Sequence, residues 1–157
     1  MNTKPPHTNI KVHTFLKQHP MGVLSTVSAD GSPWGAAIYY VVDADLNFYF
    51  ATRAETRKFQ NLDATPQVAL TVADEETQTT VQLVGTISKV PIKEYMDVVF
   101  DKLAAIKPKE DHNWRPPLTK VHEGNYIPLR ITPSKLNFAD YGHKQSDPTA
   151  NYIEQIV

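Results

Sequence analysis

"GVLSTVSADGSPWGAAIYYVVDADLNFYFATRAETRKFQNLDATPQVALTV" runs from Gly22 to Val72, and its punctuation decides the fold. Residues from "MGVLSTVS" read as a strand, Asp30-Gly31 as a tight turn, and "PWGAAIYYVV" as a second strand. "DAD" turns the chain again before "LNFYFAT", a third strand rich in aromatic side chains. Three strands on short turns predict an antiparallel meander. The stretch 56–64 then interrupts the sheet with a short helix that points Phe59 and Leu62 inward and ends before Pro66. "QVALTVA" resumes the sheet.

Working outward, Thr8 or Asn9 can cap a short helix carrying Ile10, Val12, Phe15 and Leu16, stopped by Pro20. Downstream, "QTTVQLVGTISKV" is a long strand in which Gly85 predicts a bend or bulge. Pro91 opens the longest helix, with Ile92, Tyr95, Met96, Val99, Leu103 and Ile106 on one stripe, and Pro108 stops it. Residues 109–123 are polar and proline-bearing, an excursion over the surface, and "NYIPLRITPSKLNFADY" returns as a broken strand. Six short strands with small helices between them predict one mainly β domain over residues 1–157, an antiparallel barrel with tails at 1–8 and about 144–157. The runs "AAIYYVV" and "FYF" do not alternate, so both faces of those strands are expected to be covered, by a helix or by a second subunit.

Composition narrows the function. The 157 residues include 16 Lys and Arg against 17 Asp and Glu, a net charge of -1 that does not suit a general nucleic-acid binder. There is no cysteine, which excludes disulfides, thiolate metal sites and a cysteine nucleophile. The first residues hold no apolar signal core, and no run approaches the length of a membrane span, so a soluble, cytoplasmic protein is expected. His7, His13, His19, His112, His122 and His143 show no H-x-x-x-H spacing, and neither a P-loop nor G-x-S-x-G occurs.

The candidate chemistry lies where the third strand gives way to the short helix. Thr52 closes the strand, and Thr56, Arg57 and Lys58 begin the helix. Backbone N–H groups at a helix start are unpaired and partly positive, so a phosphate placed there is held by them, by a guanidinium fork and by an ammonium. Thr52 and Thr56 offer neutral donors. The competing reading is structural: Thr52-x-x-Glu55 as a capping box, with two exposed cations tolerated against the helix dipole.

The order of these features resembles the pyridoxamine 5'-phosphate oxidase-like flavoproteins of the FMN-binding split-barrel fold. The resemblance covers roughly residues 10–140: strand, D-G turn, strand, hairpin, aromatic strand ending in Thr, Ser/Thr-Arg-Lys on a short helix, an N-L and Pro segment, "VAL", "VQLVGTISKV" and the helix after Pro91. It implies a six-stranded antiparallel split barrel that forms a homodimer with two flavins at the interface. It further implies that Arg57 and Lys58 hold the FMN phosphate beside Thr56, and that Ala51 and Thr52 meet the cofactor from the strand end. Ala36, Ala37, Ile38 and Tyr39 would lie along the isoalloxazine edge, largely through their backbone, although Ala36 and Ala37 also read as ordinary small core residues. Gln82 is the glutamine nearest to one that reaches FMN in the namesake enzymes, with Thr80 at the better-matched place. Ala36 stands where those enzymes carry an arginine, and "NFADYGHKQSDPTANYIEQIV" lacks an alignable Arg and His pair, so the resemblance is closer to the general-stress-protein-like branch.

The expected activity is therefore an FMN-dependent oxidoreduction of an undefined small molecule, with reduced deazaflavin as the alternative cofactor. Trp34, Tyr39, Trp114 and Tyr141 are candidates for shaping the open flavin face, and packing is the competing role for each. His112 or His143 could serve as an acid. A flavin, deazaflavin or haem binding or storage protein without turnover, and a cofactor-free structural dimer, are the other readings.

Overall fold

Tyr40 divides the run that the sequence predicts as one strand. Its ring is buried, its N–H donates to Pro20 O at 3.0 Å, and its hydroxyl hydrogen lies between the carbonyl oxygens of His19 (2.6 Å) and Leu16 (3.2 Å). The computed structural model describes residues 6–103, 117–122, 124–142, 147 and 149–157. Residues before Tyr40 form β2 (Pro33–Tyr39), antiparallel to β1 (Met21–Val27), and residues after it form β3 (Val41–Val42), antiparallel to β4 (Phe48–Arg53). The expected meander is thereby corrected, because β2 does not lie beside β4.

The sheet continues through β5 (Gln67–Asp74), β6 (Thr79–Lys89) and β7 (Tyr126–Asp140) in the order β2-β1-β5-β6-β7-β4-β3. Its two ends are joined in the chain by Tyr40 alone, so the sheet must curl until they approach, which makes it a barrel. The fold is the mainly β, antiparallel split barrel that the sequence predicts. Among the described residues eight strands replace six, because Tyr40 cuts one run in two and β8 (Ile153–Gln155) joins β7 at Asn137–Ala139. That last pairing, and a first helix α1 (Pro6–Gln18) that begins inside the expected N-terminal tail, shorten both tails.

Helices cover what the sheet leaves open. In α1, Val12, Phe15 and Leu16 are buried and Ile10 is exposed. In α3 (Ile92–Leu103), Tyr95 and Val99 are buried while Ile92 and Phe100 face outward, a narrower stripe than expected. Its predicted continuation to Ile106 lies outside the described residues. Phe48 to Thr52 are all buried, because a 3-10 helix (Pro117–His122) and α3 pack against β4. For β4 the second covered face is thus supplied by the chain's own helices, whereas β2 does not meet the expectation: Ala37 is exposed and Ala36 and Tyr39 are only half-buried. The outer face of β1, β5 and β6 differs: Met21 is 52% exposed, Val23 48% and Val84 50%. No described helix is long and apolar enough to cross a membrane.

Gly85 bends β6 as its position predicts. Val84 pairs with Lys135 and Gly85 with Pro133, so Ser134 is an extra residue on β7. A Cβ on Gly85 would stand 2.5 Å from the backbone oxygen of Thr132, which cannot yield without moving the bulge. Gly85→Ala should lower unfolding stability by about 1–3 kcal/mol in urea titration; an unchanged midpoint would show that the bulge accommodates the methyl group.

Candidate functional site

Thr56 is the N-cap of α2 (Arg57–Ala64), with extended backbone at φ -75° and ψ 145°. Its hydroxyl donates to Arg53 O at 2.8 Å and accepts from Phe59 N at 3.4 Å. The buried Thr52 hydroxyl lies 3.0 Å from it and, since the Thr56 hydrogen is already placed, acts as the donor. Both threonine hydrogens therefore build the strand-to-helix turn. The capping box from Thr52 to Glu55 is corrected: Glu55 instead accepts from Asn125 Nδ2 at 2.7 Å and pairs with Arg53 at 3.4 Å. The Asn125 hydrogen bond leads the effects that hold the Glu55 carboxyl below its ordinary range.

Arg57 and Lys58 occupy the first two helical positions, where backbone N–H groups have no intrahelical acceptor. The Arg57 guanidinium lies 4.5 Å from the centroid of the Trp34 ring. Its charge adds to hydrogen bonds from Ser32 in holding the Asp30 carboxyl low. Lys58 is half-buried, and desolvation lowers its pKa from the ordinary 10.5. Among the described residues no carboxylate pairs with it. The two cations thus differ: one is exposed and stacked on an indole, the other is partly withdrawn from water without a counter-ion.

The sequence reading missed Asn61. It is 5% exposed, its amide donates to Thr26 Oγ1 at 2.9 Å, and its carbonyl accepts from Ser28 Oγ at 3.0 Å. The available signal was its helical spacing from Lys58, which puts it on the inward side of a short amphipathic helix beside Leu62. An amide on such a helix ordinarily reads as surface.

The remaining predicted residues fall into separate groups. Ala36 and Ile38 point with Leu24 and Gly22 to one face of the β1–β2 pair, and Ala37 and Tyr39 point with Val23 and Met21 to the other. Among the described residues β2 has a single strand neighbour, so alternate backbone groups along it are directed away from β1. Ala51 is buried in the barrel wall opposite Pro128. Gln82 is exposed on the outer face, in the row Ala37–Val23–Thr71–Gln82. Three strand spacings, about 14 Å, separate it from Ala37, so it does not adjoin the predicted β2 segment within one chain. Thr80 shares that face, and its buried hydroxyl has no partner. The only pocket described, about 100 Å³ between α2 and the barrel, is lined by Phe59, Leu62, Ile87 and Leu129 with Asp63 and Lys89. That is well below the roughly 300 Å³ at which small-molecule sites begin.

Of the other candidates, Tyr141 packs against Tyr152 at 5.6 Å, and Trp114, His112 and His143 lie outside the described residues. His13 faces Ala44 O at 3.3 Å, His19 contacts Phe15 O at 2.8 Å, and His122 is exposed on the 3-10 helix. His7 lies on α1. Among the described residues no histidine belongs to α2 or β2, and no cluster of three His, Cys, Asp or Glu could hold a metal.

A split barrel with a short helix after its aromatic strand defines the architectural class. The sequence pattern of the pyridoxamine 5'-phosphate oxidase family matches residues 9–133, and the chain belongs to that family. No curated protein matches the sequence significantly. A protein from Clostridium acetobutylicum related to general stress protein 26 of the pyridoxine-phosphate oxidase family superposes with a TM-score of 0.63 at 15% identity, covering 96% of this chain and 94% of its own. The haem storage protein HutZ from Vibrio cholerae gives 0.64 at 15% identity, over 81% of this chain and 91% of its own. An F420 reductase gives 0.60 at 17% identity, over 79% and 94%. At these identities the likenesses establish the fold alone.

Thr56→Ala should cost about 1 kcal/mol of stability in urea titration through loss of the cap. A change within experimental error would mean that the turn is held without the hydroxyl.

Proposed function

We propose that the chain is an FMN-dependent oxidoreductase, cytoplasmic, with the flavin held at a homodimer interface and a small-molecule substrate. The observation that carries this reading is Lys58, a partly desolvated ammonium with no acidic partner among the described residues, beside Arg57 at the open end of α2. Such a pair favours a phosphate dianion, which restores the solvation that the ammonium lacks and accepts the exposed N–H groups. FMN supplies hydride and electron transfer when bound. Arg57, Lys58 and Thr56 would grip its phosphate, with Ala51 and Thr52 at the adjoining strand end. Ala36, Ala37, Ile38 and Tyr39 would orient the ring through the outward backbone groups of β2.

In the proposed homodimer a second copy would pack on the outer face, where Met21 and Val23 of β1 and Val84 of β6 stand exposed on either side of β5. Pairing across that face would bring Gln82 of one protomer toward the flavin of the other, which suits its separation from Ala37 within one chain. A reduced deazaflavin would use the same basic pair, and flavin or haem storage without turnover is the competing role that the structural neighbours suggest.

Titration of FMN into the purified chain tests the site. Replacing Arg57 and Lys58 together by alanine should weaken binding at least tenfold, as loss of a charged hydrogen bond costs about 1.5–3 kcal/mol. Unchanged affinity would remove the phosphate assignment, and absorbance of the bound chromophore distinguishes flavin from deazaflavin and haem.

Lys58 also predicts a pH dependence. Burial lowers its pKa in the free protein, whereas an adjacent phosphate favours the ammonium and raises it. FMN binding therefore takes up a proton between those two values, and affinity should fall as pH rises through that window. Lys58→Arg should bind FMN with the alkaline decline abolished, because the guanidinium stays charged. A decline of equal size in both proteins would assign it to another group.

A further inference from the structure

Thr26 and Trp34 face each other across β1 and β2. Thr26 accepts the Asn61 amide hydrogen at 2.9 Å, and the Trp34 ring lies 4.5 Å from the Arg57 guanidinium. Asn61 follows Arg57 by four residues, so both project from one side of α2, a single turn apart. One cross-strand pair thus holds the helix at two points. Ser28, just past β1, closes the clasp on the Asn61 carbonyl at 3.0 Å. The hairpin that presents them is itself tied: Ser28 N donates to Ser32 O and Gly31 N to Ser28 O, each at 2.9 Å.

Both ends of the Asn61 amide are engaged, so its orientation is fixed. Rolling or sliding α2 would strand a buried donor and a buried acceptor, which is costly away from water. A leucine at this position would bury as much apolar surface without setting a direction. The geometry points to Asn61 and Thr26 as positioning residues that, with the Trp34 ring, preset Arg57 and Lys58 for phosphate recognition. This inference rests on the phosphate reading of the basic pair. It assigns the tip of the β1–β2 hairpin a task in ligand selection beyond supporting a helix.

The readout is selectivity, expressed as the ratio of the riboflavin to the FMN dissociation constant, because the two ligands differ only in the phosphate. Measurements use the full chain carrying Thr26→Val, Thr26→Ser or Asn61→Ala. Thr26→Val keeps the size of the side chain and removes the acceptor, so it reports even if Asn61→Ala fails to fold. Thr26→Val and Asn61→Ala should each reduce the ratio about tenfold, with riboflavin affinity held within about twofold. Thr26→Ser, which retains the hydroxyl, should preserve the ratio. Parallel losses for both ligands, or an unmoved ratio, would overturn the positioning role while a high wild-type ratio left the phosphate site intact. A wild-type ratio near one would instead overturn the phosphate reading and this inference with it.

Discussion

An ammonium group drawn partly out of water without a counter-ion is unfavourable, and Lys58, which has none among the described residues, is held in that condition by the way α2 begins. Thr56 consumes the Phe59 N–H, Thr52 braces Thr56, and the helix then presents two cations and two unsatisfied backbone donors in one place. A folded chain tolerates this arrangement because Arg57 disperses its charge over the Trp34 ring. An arriving dianion removes the penalty on Lys58. The binding reading, the expected alkaline loss of affinity and the role given to Asn61 all follow from that imbalance.

The barrel determines where the imbalance falls. Tyr40 joins the two ends of the sheet order, so the curled sheet brings the β1–β2 hairpin and the β4–α2 turn to the same region. Gly85 and the extra Ser134 supply part of the required curvature on the far side. Among the described residues the outer surface of β1, β5 and β6 remains open and partly apolar, whereas β4 is buried between the barrel core and helices of the same chain.

Much of this was legible before the fold was known, for local reasons. The Asp30-Gly31 turn, the Gly85 bend and the position of α2 depend on backbone preferences that single residues announce, and Gly31 does adopt φ 84°. Arg57 and Lys58 were legible as a pair because charge at a helix start is unusual. The break at Tyr40 was not, because it arises from a buried hydroxyl reaching α1, a partner more than 20 residues away in sequence. Asn61 was hidden for the same reason, since its partners Thr26 and Ser28 lie on another element. The doubly buried β4 was correctly expected to need two covers, but periodicity cannot say whether a helix or a subunit provides them.

Phosphorus NMR of FMN bound to the chain tests the central claim most directly. With the phosphate between Lys58 and Arg57, its resonance should shift on binding, and its second ionisation should move below the free value of about 6. A bound flavin whose phosphate titrates as it does in water would contradict the account.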